Sequence, residues 1–308
     1  MEKQTIERHS LTRVEAESAN LIGPNTNAIY DYEFTLLLKN IPWAEWMTTT
    51  NALRCRPEFL HTFREWIASS RLNRIEGLKR FTQMDLINGT TQTFDEAYYK
   101  YAGRRLRFFR GEYAYHRRVG LKWEFIGDSP LAPGDFIIVS APFCSDGRVP
   151  AGLDKILDEA HTLEVPVIVD CAYFGTCEGL ELDVTHPAIE SVSFSLTKGL
   201  GLGDIRSGIR FSNLEDQNPI RQQNIYDHTV LAAARIGLYM MERLGPDFIP
   251  LKYSEIQKQV CAELGLLPTP CMHLALGPGG VWENYRVDDK FQRVGIRNLV
   301  RARFKGEI

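Results

Sequence analysis

Four residues in the middle of the chain have the types and spacing of a reactive amine set beside an anion cradle. Lys198 stands three positions after Ser195, 28 after Asp170 and eight before Arg206, with Gly199-Leu-Gly-Leu-Gly203 between the lysine and the arginine. A lysine amine can form a Schiff base with a carbonyl compound and then act as a base. A carboxylate such as Asp170 can pair with a protonated ring nitrogen, and Tyr173, three positions on, adds a phenol. Arg206 suits a phosphate because its planar fork binds two oxygens at once, and nearby glycines let backbone N–H groups approach the same oxygens. Alone, the S-x-x-K spacing is a weak signal; the set of four is what carries the reading.

These side chains need elements that bring them together. Asp170 ends the apolar run Val165-Pro-Val-Ile-Val169, and Ser195 ends Ser191-Val-Ser-Phe194. Asp135–Ser140 and Gly208–Phe211 are two more short apolar runs, and Leu153–Leu163 between them reads as an amphipathic helix with Leu153, Ile156, Leu157 and Ala160 inward. Continuous apolar strands alternating with helices predict an α/β fold, a mostly parallel sheet sandwiched by helices. In such a sheet a carboxylate at the C-terminal tip of a strand lies at the ligand-binding edge. Further helices are predicted over 57–75, with Phe59, Phe63, Trp66 and Ile67 on one face, over 95–108, and over 229–244, closed by Gly245-Pro246. Arg104–Arg110 reads as a solvated or interface face. Residues 291–300 alternate as a strand, which puts Arg293 and Arg297 on one face. The expected organisation is an N-terminal arm over 1–50 that joins a small domain, a large domain over 51–235, and a reduced α+β small domain over 236–308.

With these motifs in place, the chain resembles the aspartate aminotransferase superfamily, fold type I of the pyridoxal-phosphate-dependent enzymes, over about residues 85–245. Asn88-Gly89-Thr90-Thr91-Gln92 before a helix is similar to that family's phosphate loop. Tyr113 falls where the family places an aromatic on the cofactor ring, and Ser140–Gly147 resembles the segment written N-P-x-N-P-T-G. Two departures stand out: Cys144 or a neighbour replaces the family asparagine, and Cys171 replaces a frequent glutamate. At 308 residues the chain is also short for the family. The resemblance implies pyridoxal phosphate as a Schiff base on Lys198, Asp170 on the pyridine nitrogen and Tyr173 on the ring oxygen. It implies a phosphate held by Gly89, Thr90, Thr91, Ser195 and Arg206, Tyr113 on the ring face, and a substrate carboxylate on Arg293 or Arg297. It further implies a homodimer and transamination between an amino acid and a 2-oxo acid; in related dimers the loop of Tyr226 can reach the neighbour's cofactor phosphate, the alternative being a plain loop residue. The departures leave open a decarboxylase, lyase, cyclase or oxidase on the same scaffold, or a non-catalytic relative that binds the cofactor. A different nucleotide-binding enzyme would need the glycine-rich turn to run straight into a helix, whereas residues 204–211 read as a strand.

Composition narrows the partners. A net charge of −3 gives no reason to expect nucleic acid or an anionic membrane surface. The six cysteines form no CxxC pair and have no zinc spacing with histidine, so no metal is expected and the thiols suit a reducing compartment. No uncharged apolar run approaches the ~20 residues of a membrane helix, and the first eighteen residues carry no apolar signal core. The expectation is a soluble, cytoplasmic protein. No residue in the sequence fixes the substrate's side chain.

Overall fold

The computed structural model describes residues 11–48, 53–214 and 217–308. Residues 1–10, part of the segment read as lacking a signal core, lie outside them. Seven strands form the central sheet: β1 (Gln83–Ile87), β2 (Arg105–Phe108), β3 (Trp123–Phe125), β4 (Asp135–Ser140), β5 (Val167–Cys171), β6 (Ile189–Ser195) and β7 (Gly208–Ser212). Their spatial order is β1-β7-β6-β5-β4-β2-β3, and only β7 runs against its neighbours. Strands β4, β5 and β7 are buried at every position, as expected for a sheet covered on both faces. The fold is α/β with a mostly parallel sheet sandwiched by helices.

Among the covering helices are α1 (Arg56–Ala68), α2 (Thr91–Lys100), α3 (Leu153–Thr162) and α5 (Leu231–Met241), with a one-turn helix α4 (Leu196–Gly199) directly after β6. In α1 the predicted face, Phe59, Phe63, Trp66 and Ile67, is buried, and Trp66 Nε1 donates to Leu244 O at 2.7 Å. The helix stops at Ala68 rather than 75, and residues 74–76 form a short strand beside Glu181–Asp183. In α3, Leu153, Leu157 and Ala160 are buried and Ile156 is half-buried.

A second, four-stranded antiparallel sheet lies towards the C-terminus: β8 (Leu267–Pro268), β9 (Leu274–Leu276), β10 (Arg286–Val287) and β11 (Phe291–Gly295), in the order β8-β9-β11-β10. Helices α6 (Phe248–Leu264) and α7 (Arg297–Lys305) accompany it. The N-terminal segment joins its edge, where Gly23 N donates to Gly295 O at 3.0 Å and Gly295 N to Gly23 O at 2.7 Å. A Cβ on Gly295 would lie 2.1 Å from Asn25 O, so only glycine admits this crossing.

Three expectations are corrected. The helix read over 95–108 is α2 followed by β2: the chain turns at 101–104, and Leu106 and Phe108 then alternate with Arg105 and Arg107, the period of a strand. The arginine run is therefore not a solvated face. Arg107 is fully buried, donating to Asp135 Oδ2 at 2.9 Å and to the carbonyls of Phe125, Ser129 and Pro130. Finally, the strand over 291–300 ends at Gly295, and Arg297 opens helix α7, so Arg293 and Arg297 do not share a strand face.

Candidate active site

The parallel strands deliver their C-terminal ends to one edge of the sheet. There β4 ends at Ser140, β5 at Asp170-Cys171 and β6 at Ser195; Gly89 follows β1, and Glu112-Tyr113 follow β2. Strand β7 starts at the same edge, two residues after Arg206. A cavity of about 360 Å³ opens at this edge. Thr90, Thr91, Tyr113, Asp170, Tyr173, Lys198, Arg206 and Arg293 all line it, although they are up to 203 positions apart in sequence.

Lys198 sits on α4, whose first turn is fixed by Ser195: its Oγ accepts from Thr197 N at 3.2 Å. Lys198 Nζ donates to Thr26 O at 2.8 Å and to Asn27 Oδ1 at 3.4 Å. Burial lowers the ammonium to about 8, helped by the guanidiniums of Arg297, Arg206 and Arg293 and opposed by Asp170. Asp170 is 5% exposed. Its Oδ1 accepts from Ala172 N at 2.8 Å, and Thr90 also bonds it. Burial raises its carboxyl to about 7, with Glu112 adding to the shift. Among the described residues no cation lies within ion-pair distance of Asp170.

Arg206, in the left-handed region at φ 63°, donates to Thr91 Oγ1 at 3.3 Å. A Cβ on Gly89 would meet Arg206 Nη2 at 2.8 Å and Ser195 Oγ at 3.4 Å, so Gly89, Ser195 and the guanidinium close around one small space at the start of α2. Tyr173 Oη shares a hydrogen bond with Thr26 Oγ1 at 3.0 Å. Arg293 reaches in from β11 and donates to Cys144 O at 3.0 Å, leaving its buried Nε without a partner. Arg297 is near but does not line the cavity; it donates to Ala28 O at 3.4 Å and lies over the Tyr30 ring. Tyr113 is half-exposed at the rim and stacks on Tyr115.

Three contributors escaped the sequence reading, and Cys144, noted there as a departure from the family segment, joins them. The segment Pro24–Asn27 forms one wall of the cavity. Glu112 is buried beside Ser140. The Cys144 thiol donates to Gly111 O at 3.1 Å. His273 is fully buried edge-on against Tyr173, with ring centroids 4.5 Å apart and neither ring nitrogen bonded. Burial and the nearby cations hold His273 well below its ordinary range, which keeps it neutral. Only Glu112 carried a signal, its place next to the candidate ring-stacking tyrosine.

No protein-family model and no curated protein matches the sequence. Solved structures do match the fold. The histidinol-phosphate aminotransferase from Clostridium acetobutylicum superposes with a TM-score of 0.58 at 12% identity, over 92% of this chain and 98% of that one. A putative aminotransferase from Burkholderia pseudomallei gives 0.58 at 15% identity, over 92% and 97%. The L-threonine-O-3-phosphate decarboxylase from Porphyromonas gingivalis gives 0.54 at 13% identity over the same shares. The chain therefore has the fold of the type I pyridoxal-phosphate-dependent enzymes. Among the described residues, no helix is long and apolar enough to cross a membrane.

Proposed function

We propose that the protein is a pyridoxal-phosphate-dependent aminotransferase that moves an amino group between an amino acid and a 2-oxo acid. One observation carries the reading: a half-buried amine, a buried carboxylate without a cation and an arginine without a carboxylate face one cavity. These are the complements of an aldehyde, a ring nitrogen and a phosphate. The fit is visible in what the groups lack. Asp170 is raised by burial and by Glu112 and has no cation in ion-pair contact, and the space closed by Gly89, Ser195 and Arg206 is lined with donors.

When bound, pyridoxal phosphate supplies a carbonyl for the amine and a ring that withdraws electrons from the substrate Cα. The protein's residues supply the rest. With its amine near 8, Lys198 is partly neutral at neutral pH, so Nζ can act as nucleophile and then accept the proton leaving Cα. Asp170 would hold a proton on the ring nitrogen across one of its oxygens. Tyr173 Oη would face the ring oxygen, and Tyr113 the ring plane. Arg206, Thr90, Thr91, Ser195 and the Gly89 backbone would bind the phosphate. Arg293, with a free Nε and an arm already fixed by Cys144 O, would take the substrate carboxylate, and Arg297 adds positive field behind it. Pro24–Asn27 forms one wall of the site. The same proposal includes a homodimer, in which the exposed Tyr226 borders the partner's cofactor.

The likeness to a decarboxylase over an equal share of the chain favours a second reading, loss of the substrate carboxylate at the same site. The two separate in one experiment. The cofactor-loaded protein is mixed with a panel of amino acids, and pyridoxamine phosphate, 2-oxo acid and released carbon dioxide are measured. Transamination predicts pyridoxamine phosphate and 2-oxo acid in equal amounts. Carbon dioxide without 2-oxo acid supports the second reading, and no conversion of any amino acid overturns both.

A further inference from the structure

Glu112 has no place in the chemistry above, yet it lies in the loop after β2, one strand beyond β4, whose tip separates it from Asp170 on β5. Strands β4 and β5 are paired so that Ser140 stands opposite Asp170, and Ala141 N donates to Asp170 O at 2.9 Å. Ser140 in turn is clamped by Glu112: Ser140 N donates to Oε2 at 2.8 Å and Ser140 Oγ to Oε1 at 2.5 Å. Tyr113 N also donates to Oε1, at 2.8 Å. The carboxylate is 2% exposed, its donors are neutral, and among the described residues no cation comes within ion-pair distance. A buried carboxylate without a cation is costly, so it is ordinarily paired. Here two of them, Glu112 and Asp170, flank the same strand ends and lack the same positive charge.

We infer that Glu112 is a positioning residue for the ring-nitrogen subsite, a second carboxylate behind Asp170 whose charge helps keep a proton on the pyridine nitrogen. The inference rests on the cofactor assigned above. The protonated ring would be the cation that both carboxylates lack, and Glu112 would reach it through Asp170 and not by contact. The ionisable groups around Asp170 are Glu112, Lys198, the thiols of Cys144 and Cys171 and, lining the same cavity, Tyr173, Arg206 and Arg293; those facing Glu112 are Asp170, Cys144 and Tyr98. Of the cations, Lys198 is the residue expected to be consumed by the cofactor, and Arg206 and Arg293 are those expected to meet its phosphate and the substrate carboxylate. The upward shift of Asp170, to which Glu112 contributes, is in keeping with this field.

The test follows the nitrogen itself. Protein loaded with cofactor labelled with ¹⁵N in the ring is titrated with base, and the ¹⁵N shift reports the midpoint of ring deprotonation. Glu112→Gln, which keeps the side chain's size, should lower that midpoint by about one pH unit. Burial raises the Glu112 carboxyl and the Ser140 hydroxyl holds it down, so Ser140→Ala weakens the charge and should lower the midpoint as well, by less than Glu112→Gln. A role in packing alone would move neither. If Glu112→Gln does not fold, as read by circular dichroism, Ser140→Ala alone decides: a lowered midpoint supports the inference, and an unmoved or raised one overturns it. An unmoved midpoint in folded Glu112→Gln overturns the role of Glu112 and leaves the cofactor assignment standing. Failure of the unmodified protein to take up cofactor overturns that assignment first.

Discussion

Arginines sit inside two regions of this molecule, fully buried within the sheet and half-buried at its C-terminal edge, and they are treated in opposite ways. Within the sheet, Arg107 meets Asp135 and three carbonyls, and Arg210 meets Asp85, Glu96 and Asn218. At the C-terminal edge, the hydrogen bonds of Arg206, Arg293 and Arg297 go only to a hydroxyl, to backbone carbonyls and to the Cys144 sulfur, and among the described residues none forms an ion pair. Desolvating a guanidinium without a counter-charge is unfavourable, so the first group reads as architecture that is complete and the second as a site awaiting anions. The same division holds for carboxylates: Asp135 is held below its usual range despite its burial, largely by bonds from Arg105 and Arg107, whereas Asp170 is driven up by burial and by a second carboxylate.

Substitutions can break or sharpen this division. The largest change in stability is expected at Arg107: Arg107→Met leaves Asp135 buried and without its innermost partner, and should cost about 3–5 kcal/mol in denaturant unfolding. Asp170→Asn should do the reverse for the cofactor-free protein. Asp170 has a folded pKa of about 7 against an ordinary 3.8, so the folded state holds the extra proton between those values and stability drains away as pH rises through them. The variant escapes that loss and should gain on the order of 2–4 kcal/mol at about pH 8, with little gain near pH 4, while losing cofactor affinity. A flat difference between the two pH values would contradict the assignment. Arg206→Gln should leave unfolding nearly unchanged but weaken cofactor binding roughly 10- to 100-fold, as a lost charge-assisted bond does; a loss of stability on the scale of Arg107→Met would erase the distinction between the two regions. The smallest effect is expected at Arg293→Lys, which keeps the charge but not the fork. There KM for the amino acid should rise about tenfold with kcat less affected.

Much of the architecture was legible because buried parallel strands read as apolar runs. Val167–Val169 and Phe136–Val139 announce themselves, and a carboxylate or serine at the end of such a run already implies the sheet's ligand edge. Strand β2 was not legible, since its charge at Arg107 is neutralised by Asp135, 28 positions further on, and local pattern cannot show a partner that distant. Arg297 was misplaced because β11 passes into α7 after Gly295 and Ile296, a change of period within two residues. The central cluster of Asp170, Ser195, Lys198 and Arg206 was readable because its spacing matches the motif of the family the chain resembles. Thr26 and His273 were not, since they reach the site by folding and carry no motif, and Glu112 was marked only by its place beside Tyr113.

The central claim is that Lys198 carries the cofactor. The most direct test is to load the protein with pyridoxal phosphate, reduce it with borohydride and map the modified peptide by mass spectrometry. The account predicts one stable phosphopyridoxyl adduct per chain, on Lys198, and none in Lys198→Ala. An adduct on another lysine, or the same yield in Lys198→Ala, would contradict it.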